Sequence, residues 1–297
     1  MSGSGPRTGP GAFLEGELRR ATGDEGLRVL GLQAVSGGCI HHAVRVRTTR
    51  GEWFAKWNED CADDLFLSEA QGLRALRAAG SELAIPEVLT ASGPGEGRPA
   101  YIVMEYLPRA TGDDVALGRG LAAIHARPAP GFGFPVTTYC GPTPQDNRAS
   151  PSWAEFYAER RLGPLSRQLA GAGRIGPEDV RLLERVIARL SALLVHEPRP
   201  ALIHGDLWSG NVLGTTRGPA LVDPACAACD REMEFGITTL FGGFSDRFFD
   251  AYDEAFPLPH EWRERNPLYQ LYHLLNHHLI FGGHYGHEAL ALARRYA

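Results

Sequence analysis

The chain of 297 residues contains a single lysine. Its 30 basic residues are Lys56 and 29 arginines, set against 35 acids, for a formal charge of −5. A chain that is net acidic lacks the basic footprint of a nucleic-acid binder. No apolar run approaches the ~20 residues of a membrane span. The opening, rich in Gly, Ser and Pro, lacks the apolar core of a signal peptide. Five cysteines do not make a disulfide framework in a chain this long, so a reducing cytoplasm is the expected location. Cys226-Ala227-Ala228-Cys229 has no second pair at zinc-ribbon spacing. His273, His277, His278, His284 and His287 crowd the C-terminus without an H-E-x-x-H. Packing is therefore expected of the cysteine pair and pocket lining of the histidines. With 43% hydrophobic and 22% charged residues, the chain is long enough for one large domain or two lobes.

Against this background one stretch carries chemistry: Leu202-Ile203-His204-Gly205-Asp206-Leu207-Trp208-Ser209-Gly210-Asn211-Val212-Leu213, followed by Leu221-Val222-Asp223-Pro224. Apolar pairs flank a polar knot, which predicts strand, tight loop, strand, and a further short strand ending in an acid. A lone His-Gly-Asp would be an ordinary turn. Asn211 five residues after Asp206, with Asp223 beyond, matches the phosphoryl-transfer pattern. There a loop Asp meets the acceptor hydroxyl, and an Asn and a second Asp hold magnesium on the phosphates. Such a site works mainly by positioning and charge neutralisation. Asp206 is thus the expected catalytic residue, and Asn211 and Asp223 the expected metal ligands.

The lone lysine fits the same chemistry, because a compact ammonium on a flexible stem suits the α- and β-phosphates better than a planar fork. Residues 1–10 read as a frayed tail and 11–22 as a short helix. Leu27 to Val35 is extended, Ser36 to Ile40 turns, and Ala43 to Val46 alternates as a strand. The turn places Gly37, Gly38 and Cys39 where backbone N–H groups can cover phosphates, although it lacks the G-x-G-x-x-G spacing. An exposed thiol there would be activated by Lys56 and the converging N–H groups, making Cys39 a redox candidate. Glu52 to Trp57 forms the next strand and carries Lys56. Asp63 to Ala78 is a helix with Glu69 placed to pair with Lys56. Pro86 to Thr90 is a further strand, and Ala100 to Pro108 an apolar one. In a kinase this would be the last strand of the small lobe, with Met104 in the nucleotide site and Glu105, Tyr106 and Leu107 as the hinge whose backbone reads adenine, which sets lobe boundaries at 1–104 and 105–297. Helices are expected over 113–126, 152–169, 177–195, 230–240, 245–256 and 268–281, with a looser proline-rich segment at 128–151.

The resemblance carried by these residues is to the fructosamine kinase (ketosamine-3-kinase) family, within the aminoglycoside phosphotransferase and choline kinase group. Its marks are Gly37-Gly38-Cys39-Ile40, His204 through Asn211 with Trp208, and Asp223-Pro224-Ala225. Asp230-Arg231-Glu232 with Glu234, Asn276-His277-His278, and Phe281-Gly282-Gly283 with Tyr285 complete the set. The resemblance implies a bilobal protein-kinase-like fold of α/β (α+β) class. An N-terminal antiparallel sheet plus one helix would bind the nucleotide, and a mainly helical C-terminal lobe would hold the acceptor. It implies ATP and Mg2+ as cofactors and phosphorylation of the 3-hydroxyl of a ribulosamine, erythrulosamine or fructosamine, free or protein-bound, in deglycation. Trp208, His204 and His278 would then face the substrate. The expected assembly is a monomer or a dimer linked through Cys39, without nucleic acid or membrane as partner. Asp223-Pro224-Ala225 stands where protein kinases have Asp-Phe-Gly, so regulation by a Phe flip is not implied. Two other readings remain: a kinase of an aminoglycoside, choline or similar alcohol, and a pseudokinase interaction module. Joint retention of Lys56, Asp206, Asn211 and Asp223 disfavours the second.

Overall fold

The computed structural model describes residues 10–35 and 41–297. The N-terminal part is a five-stranded antiparallel sheet of β1 (Val29–Ala34), β2 (His42–Thr48), β3 (Gly51–Asn58), β4 (Val88–Ser92) and β5 (Ala100–Glu105), ordered β1-β2-β3-β5-β4. Two helices cover it, in line with the helices expected over 11–22 and 63–78, where the resemblance implied one. Helix α1 (Pro10–Thr22) sends Leu14 and Leu18 against Val44, Val46, Tyr101 and Val103 on one face. Helix α2 (Leu65–Ala78) packs on the other, against Ile102 and Met104. Strand side chains alternate between faces, so β5 needs apolar residues at both parities and reads as one hydrophobic run. The same alternation in β3 separates Ala55, in the α1 core, from Phe54 and Lys56 on the α2 side.

After β5 the chain enters α3 (Asp114–His125), whose first turn is capped by Asp113 accepting from Val115 and Ala116 N–H at 3.0 and 3.1 Å. The proline-rich segment is not loose throughout. It contains a small hairpin, β6 (Thr138–Cys140) and β7 (Thr143–Gln145). The helix expected over 152–169 is α4 (Trp153–Tyr157), one π-helical turn (Ala158–Leu162) and α5 (Gly163–Gly171). Pro164 has no N–H to give the preceding turn, and the widened turn sits just ahead of it. Next come α6 (Pro177–Ala188), α7 (Leu190–Leu193) and β8 (Ala201–Ile203), then the hairpin β9 (Val212–Thr215) and β10 (Gly218–Leu221), and β11 (Ala227–Cys229). Strand β11 pairs back onto β8, setting Ala227 opposite Ile203.

Four helices close the chain: α8 (Glu232–Phe241), α9 (Asp246–Ala255), α10 (Trp262–Phe281) and α11 (His284–Arg294). Helix α10 starts ahead of Pro267, six residues earlier than the sequence suggests. Trp262 holds that first turn by burying its ring 5.4 Å from Phe235, and Asn266 does so by donating to Thr239 at 2.7 Å. One hydrophobic cluster runs through both halves of the molecule. It joins Phe66, Leu73 and Ile102 to Leu121, Phe235 and Tyr252.

Candidate active site

The catalytic stretch is held by backbone contacts that its sequence makes possible. Gly205 takes a φ of +82°, and a Cβ there would fall 2.3 Å from the Ala225 carbonyl oxygen, so only glycine lets β8 turn beside β11. Glu234, wholly buried at the start of α8, accepts from the His204 N–H at 2.6 Å and the Gly205 N–H at 2.9 Å. One turn later Thr238 donates to the Leu207 carbonyl at 2.8 Å. Burial works to raise the Glu234 carboxyl, but His125, His204 and these N–H groups hold it below its ordinary value. The loop is thus clamped from beneath by one helix.

On that loop Asp206 is fixed by Asn211, whose Nδ2 donates to the Asp206 carbonyl at 2.8 Å and to its Oδ2 at 3.0 Å. Burial lifts the Asp206 carboxyl to about 7, and the nearby charge of Asp223 adds to the rise. A carboxyl poised there is suited to take a proton near neutral pH. Cys140 on β6 brings its Sγ within 3.8 Å of Asp206 Oδ1. Burial and Asp206 push that thiol well above its usual value, so it stays protonated.

Lys56 Nζ lies 2.7 Å from Glu69 and 2.6 Å from Asp223. Burial alone would depress its ammonium, but the two carboxylates more than offset this and raise it. Asp223 is correspondingly held below its ordinary value by Lys56, against the opposing effect of burial. Asp223 is also the one described non-glycine residue with left-handed backbone, at φ 56°. Such strain clusters at functional sites.

These groups sit between two cavities. The first is walled by Phe54, Lys56, Met104, Tyr106, Leu107 and Asp223. Glu105 lies at its edge, its carboxylate paired with Arg217 and its N–H donating to the Glu87 carbonyl at 2.8 Å. The second is lined by Asp206, Asn211, Asp223, Trp208, Cys140 and Asn276, among others. Lys56 and Asp223 line both. Trp208 lies over Gly210, where a Cβ would come within 2.1 Å of its ring.

Two expected substrate contacts fall elsewhere. His204 is fully buried: Nε2 donates to the Val222 carbonyl at 2.9 Å while Nδ1 faces the Asp206 N–H at 3.3 Å. It ties the loop to the strand before Asp223 and does not reach the cavity. His278 turns its Nε2 to the Arg174 carbonyl at 3.1 Å, and its neighbour His277 lines the cavity instead. His273 is buried against Tyr272. Cys226 and Cys229 are free, buried thiols. His196, Asp230 and Glu232 gather within 4.8 Å, but Arg265 occupies Glu232 at 2.6 and 2.8 Å and Tyr269 donates to Asp230 at 2.6 Å. The carboxylates of that cluster are thus taken up by Arg265, Tyr269 and His196 Nε2. Gly37, Gly38 and Cys39 lie outside the described residues. Of the five C-terminal histidines expected to line a pocket only His277 lines this cavity, and Glu234, Cys140 and Phe241 carried no expected role. Glu234 and His277 stood within the motifs that carry the resemblance, and that was the available signal.

Residues 16–296 match the fructosamine kinase family profile. The chain belongs to the fructosamine kinase family. It is 35% identical over 277 residues to a protein-ribulosamine 3-kinase of Oryza sativa subsp. indica, covering 91% of this chain and 79% of the rice protein. The Arabidopsis thaliana protein-ribulosamine 3-kinase is 34% identical over 271 residues, covering 89% of this chain and 81% of that protein. Among solved structures, a Thermobifida fusca protein provisionally assigned as a fructosamine-3-kinase superposes with a TM-score of 0.81 at 35% identity, covering 98% of each chain. The aminoglycoside phosphotransferase APH(4)-Ia shares the fold, with a TM-score of 0.63 at 17% identity over 95% of this chain and 98% of that one. The protein-kinase-like architecture read from the sequence is therefore the architecture of this family member.

Proposed function

We propose that the protein is an ATP-dependent ketosamine 3-kinase, transferring the γ-phosphoryl group to the 3-hydroxyl of a sugar carried on an amine. The observation that carries this reading is the sharing of Lys56 and Asp223 by two cavities, with Asp206 on the second. A nucleotide in the first cavity would present its phosphates where an acceptor hydroxyl in the second meets Asp206. Family membership and the ribulosamine kinases at about a third identity support the acceptor class.

In this reading Met104 and Leu107 bracket adenine. The Glu105 N–H is already taken by Glu87, so the backbone of Tyr106 and Leu107 reads the base edge. The lobe boundary then falls at the end of β5. Lys56, positioned by Glu69, steadies the α- and β-phosphates. Asn211 and Asp223 would hold Mg2+: both are oxygen donors, as that ion prefers, and Asp223 keeps 46% of its side chain exposed beside Lys56. The ion would neutralise charge on the phosphates. Asp206 orients the acceptor hydroxyl and takes its proton as the O–P bond forms and the bond to ADP breaks. Trp208 forms part of the sugar wall. The four described cysteines are free, consistent with a reducing cytoplasm. The test is ATP turnover against ribulosamine, erythrulosamine, fructosamine, choline and an aminoglycoside. Turnover with a ketosamine alone is expected; turnover only with choline or the aminoglycoside would overturn the assignment.

A further inference from the structure

The second cavity is chemically divided, and its outer part has no role in the transfer itself. Of 13 phenylalanines, five tryptophans and nine tyrosines, only Trp208, Phe241 and Phe281 are exposed, at 38%, 37% and 58%. All three line this cavity. Soluble proteins scatter exposed apolar residues singly, and a gathered set marks a binding surface. Phe241 ends α8 and Phe281 ends α10. His277 joins them, its ring centroid 4.7 Å from Phe241, 5.6 Å from Phe281 and 5.2 Å from Tyr285 on α11. The result is a connected aromatic wall leading outward from Asp206.

The second observation is charge. Of the chain's 29 arginines, 28 are among the described residues, and none of these lines this cavity. Its charged lining is Glu69, Asp206 and Asp223 against Lys56 alone, and Lys56 is already paired with two of those acids. A cavity so lined repels an anionic acceptor and favours a cation, and the exposed ring faces add cation–π attraction.

We propose that the aromatic mouth formed by Phe241, His277, Phe281 and Tyr285 is a subsite for the amine half of the acceptor, a secondary ammonium bearing an extended alkyl chain such as a lysyl side chain. The inference rests on the ketosamine reading and adds where the non-sugar part of the substrate goes. Sugar hydroxyls face Asp206 and Asn211 at the inner end. The ammonium and its chain lie along the rings, and recognition depends on both charge and length.

The experiment compares kcat/KM for three acceptors built on one ketopentose: the adduct of Nα-acetyl-lysine, the adduct of methylamine, and an uncharged 1-O-hexyl ether. The lysyl adduct is expected to exceed each of the others by about tenfold or more, the scale of one desolvated cation–π contact plus a buried chain. Phe281→Ala should shrink the lysyl-to-methylamine ratio severalfold. Phe281→Leu and Phe241→Leu, which keep bulk but lose the ring, should shrink the lysyl-to-ether ratio. Equal kcat/KM for all three acceptors, or ratios untouched by the substitutions, would overturn the subsite while leaving the kinase assignment standing. No turnover with either adduct would remove both.

Discussion

Lys56 Nζ lies 2.6 Å from Asp223 Oδ1, joining the small-lobe sheet to the strand end where the phosphates are expected. Glu69 holds the same ammonium from the other side at 2.7 Å. A planar guanidinium cannot occupy the point where both carboxylates converge. Lys56→Arg is therefore expected to lower kcat/KM by roughly a hundredfold or more, with a melting temperature close to wild type. Lys56→Ala would leave Glu69 buried without its counter-charge and should cost about 3–5 kcal/mol of stability. Full activity in the arginine variant would show that this lysine does not touch phosphate.

Asp206 gives a pH prediction with a definite sign. As proton acceptor it must be ionised, and burial has lifted it to about 7. The rate at saturating substrate should rise with pH through neutrality and level off above it, falling about tenfold per unit on the acid limb. Asp206→Asn should lose several powers of ten in turnover while nucleotide binding survives. A carboxyl raised above its unfolded value opposes folding once ionised, so the asparagine variant should melt higher at pH 8. That gain should shrink as the pH falls from 7 towards 4. Calorimetry at both pH values, alongside turnover, checks both halves.

Glu234 never reaches the cavity, yet its loss should be costly. Glu234→Ala strands the N–H groups of His204 and Gly205 in the interior, each worth about 1–3 kcal/mol when unpaired. Glu234→Gln keeps one acceptor and is the more informative change. It should fold, and it should lower kcat much more than it alters either KM, since the loop rather than the binding walls is disturbed. Equal rises in both KM values with kcat intact would contradict a loop-clamping role.

Trp208 lines the second cavity and rests on Gly210, which lines the first. Trp208→Ala should raise KM for the ketosamine far more than KM for ATP. Stability should change little, because the ring is 38% exposed. A matching rise in both constants with a clear drop in melting temperature would make it a packing residue.

Much of this was legible because the informative residues are local in sequence. Asp206 and Asn211 share one loop, and the β3 pattern carries Lys56. Alternation and helical spacing placed Glu69 across from it. The rest depended on contacts that no short window contains. The β6–β7 hairpin has three-residue strands with no period to detect; Ser68 donating to the Thr137 carbonyl at 2.7 Å and Asn276 to the Cys140 carbonyl at 3.2 Å fix it from outside. His277 and His278 are adjacent, and only the packing of α10 decides which of them turns to the cavity. His204 sits beside Asp206 in sequence, but its ring is spent on tying two backbone segments together. The aromatic mouth draws on the ends of α8 and α10 and the start of α11, elements that sequence reading treats separately.

The hydrophobic cluster that runs from Phe66 and Ile102 to Leu121 and Tyr252 has a further consequence. Kinases that are switched by swinging the glutamate-bearing helix need that helix to be separable from the large lobe. Here α2 is wedged in place: a Cβ on Gly72 would come within 3.2 Å of Pro224, and Cys226 Sγ approaches the Gly72 carbonyl at 3.7 Å. Swinging α2 outward would break both contacts, so the Glu69–Lys56 pair is held by the same packing that joins the two halves of the molecule. Neither half of the chain, expressed without the other, should hold its shape.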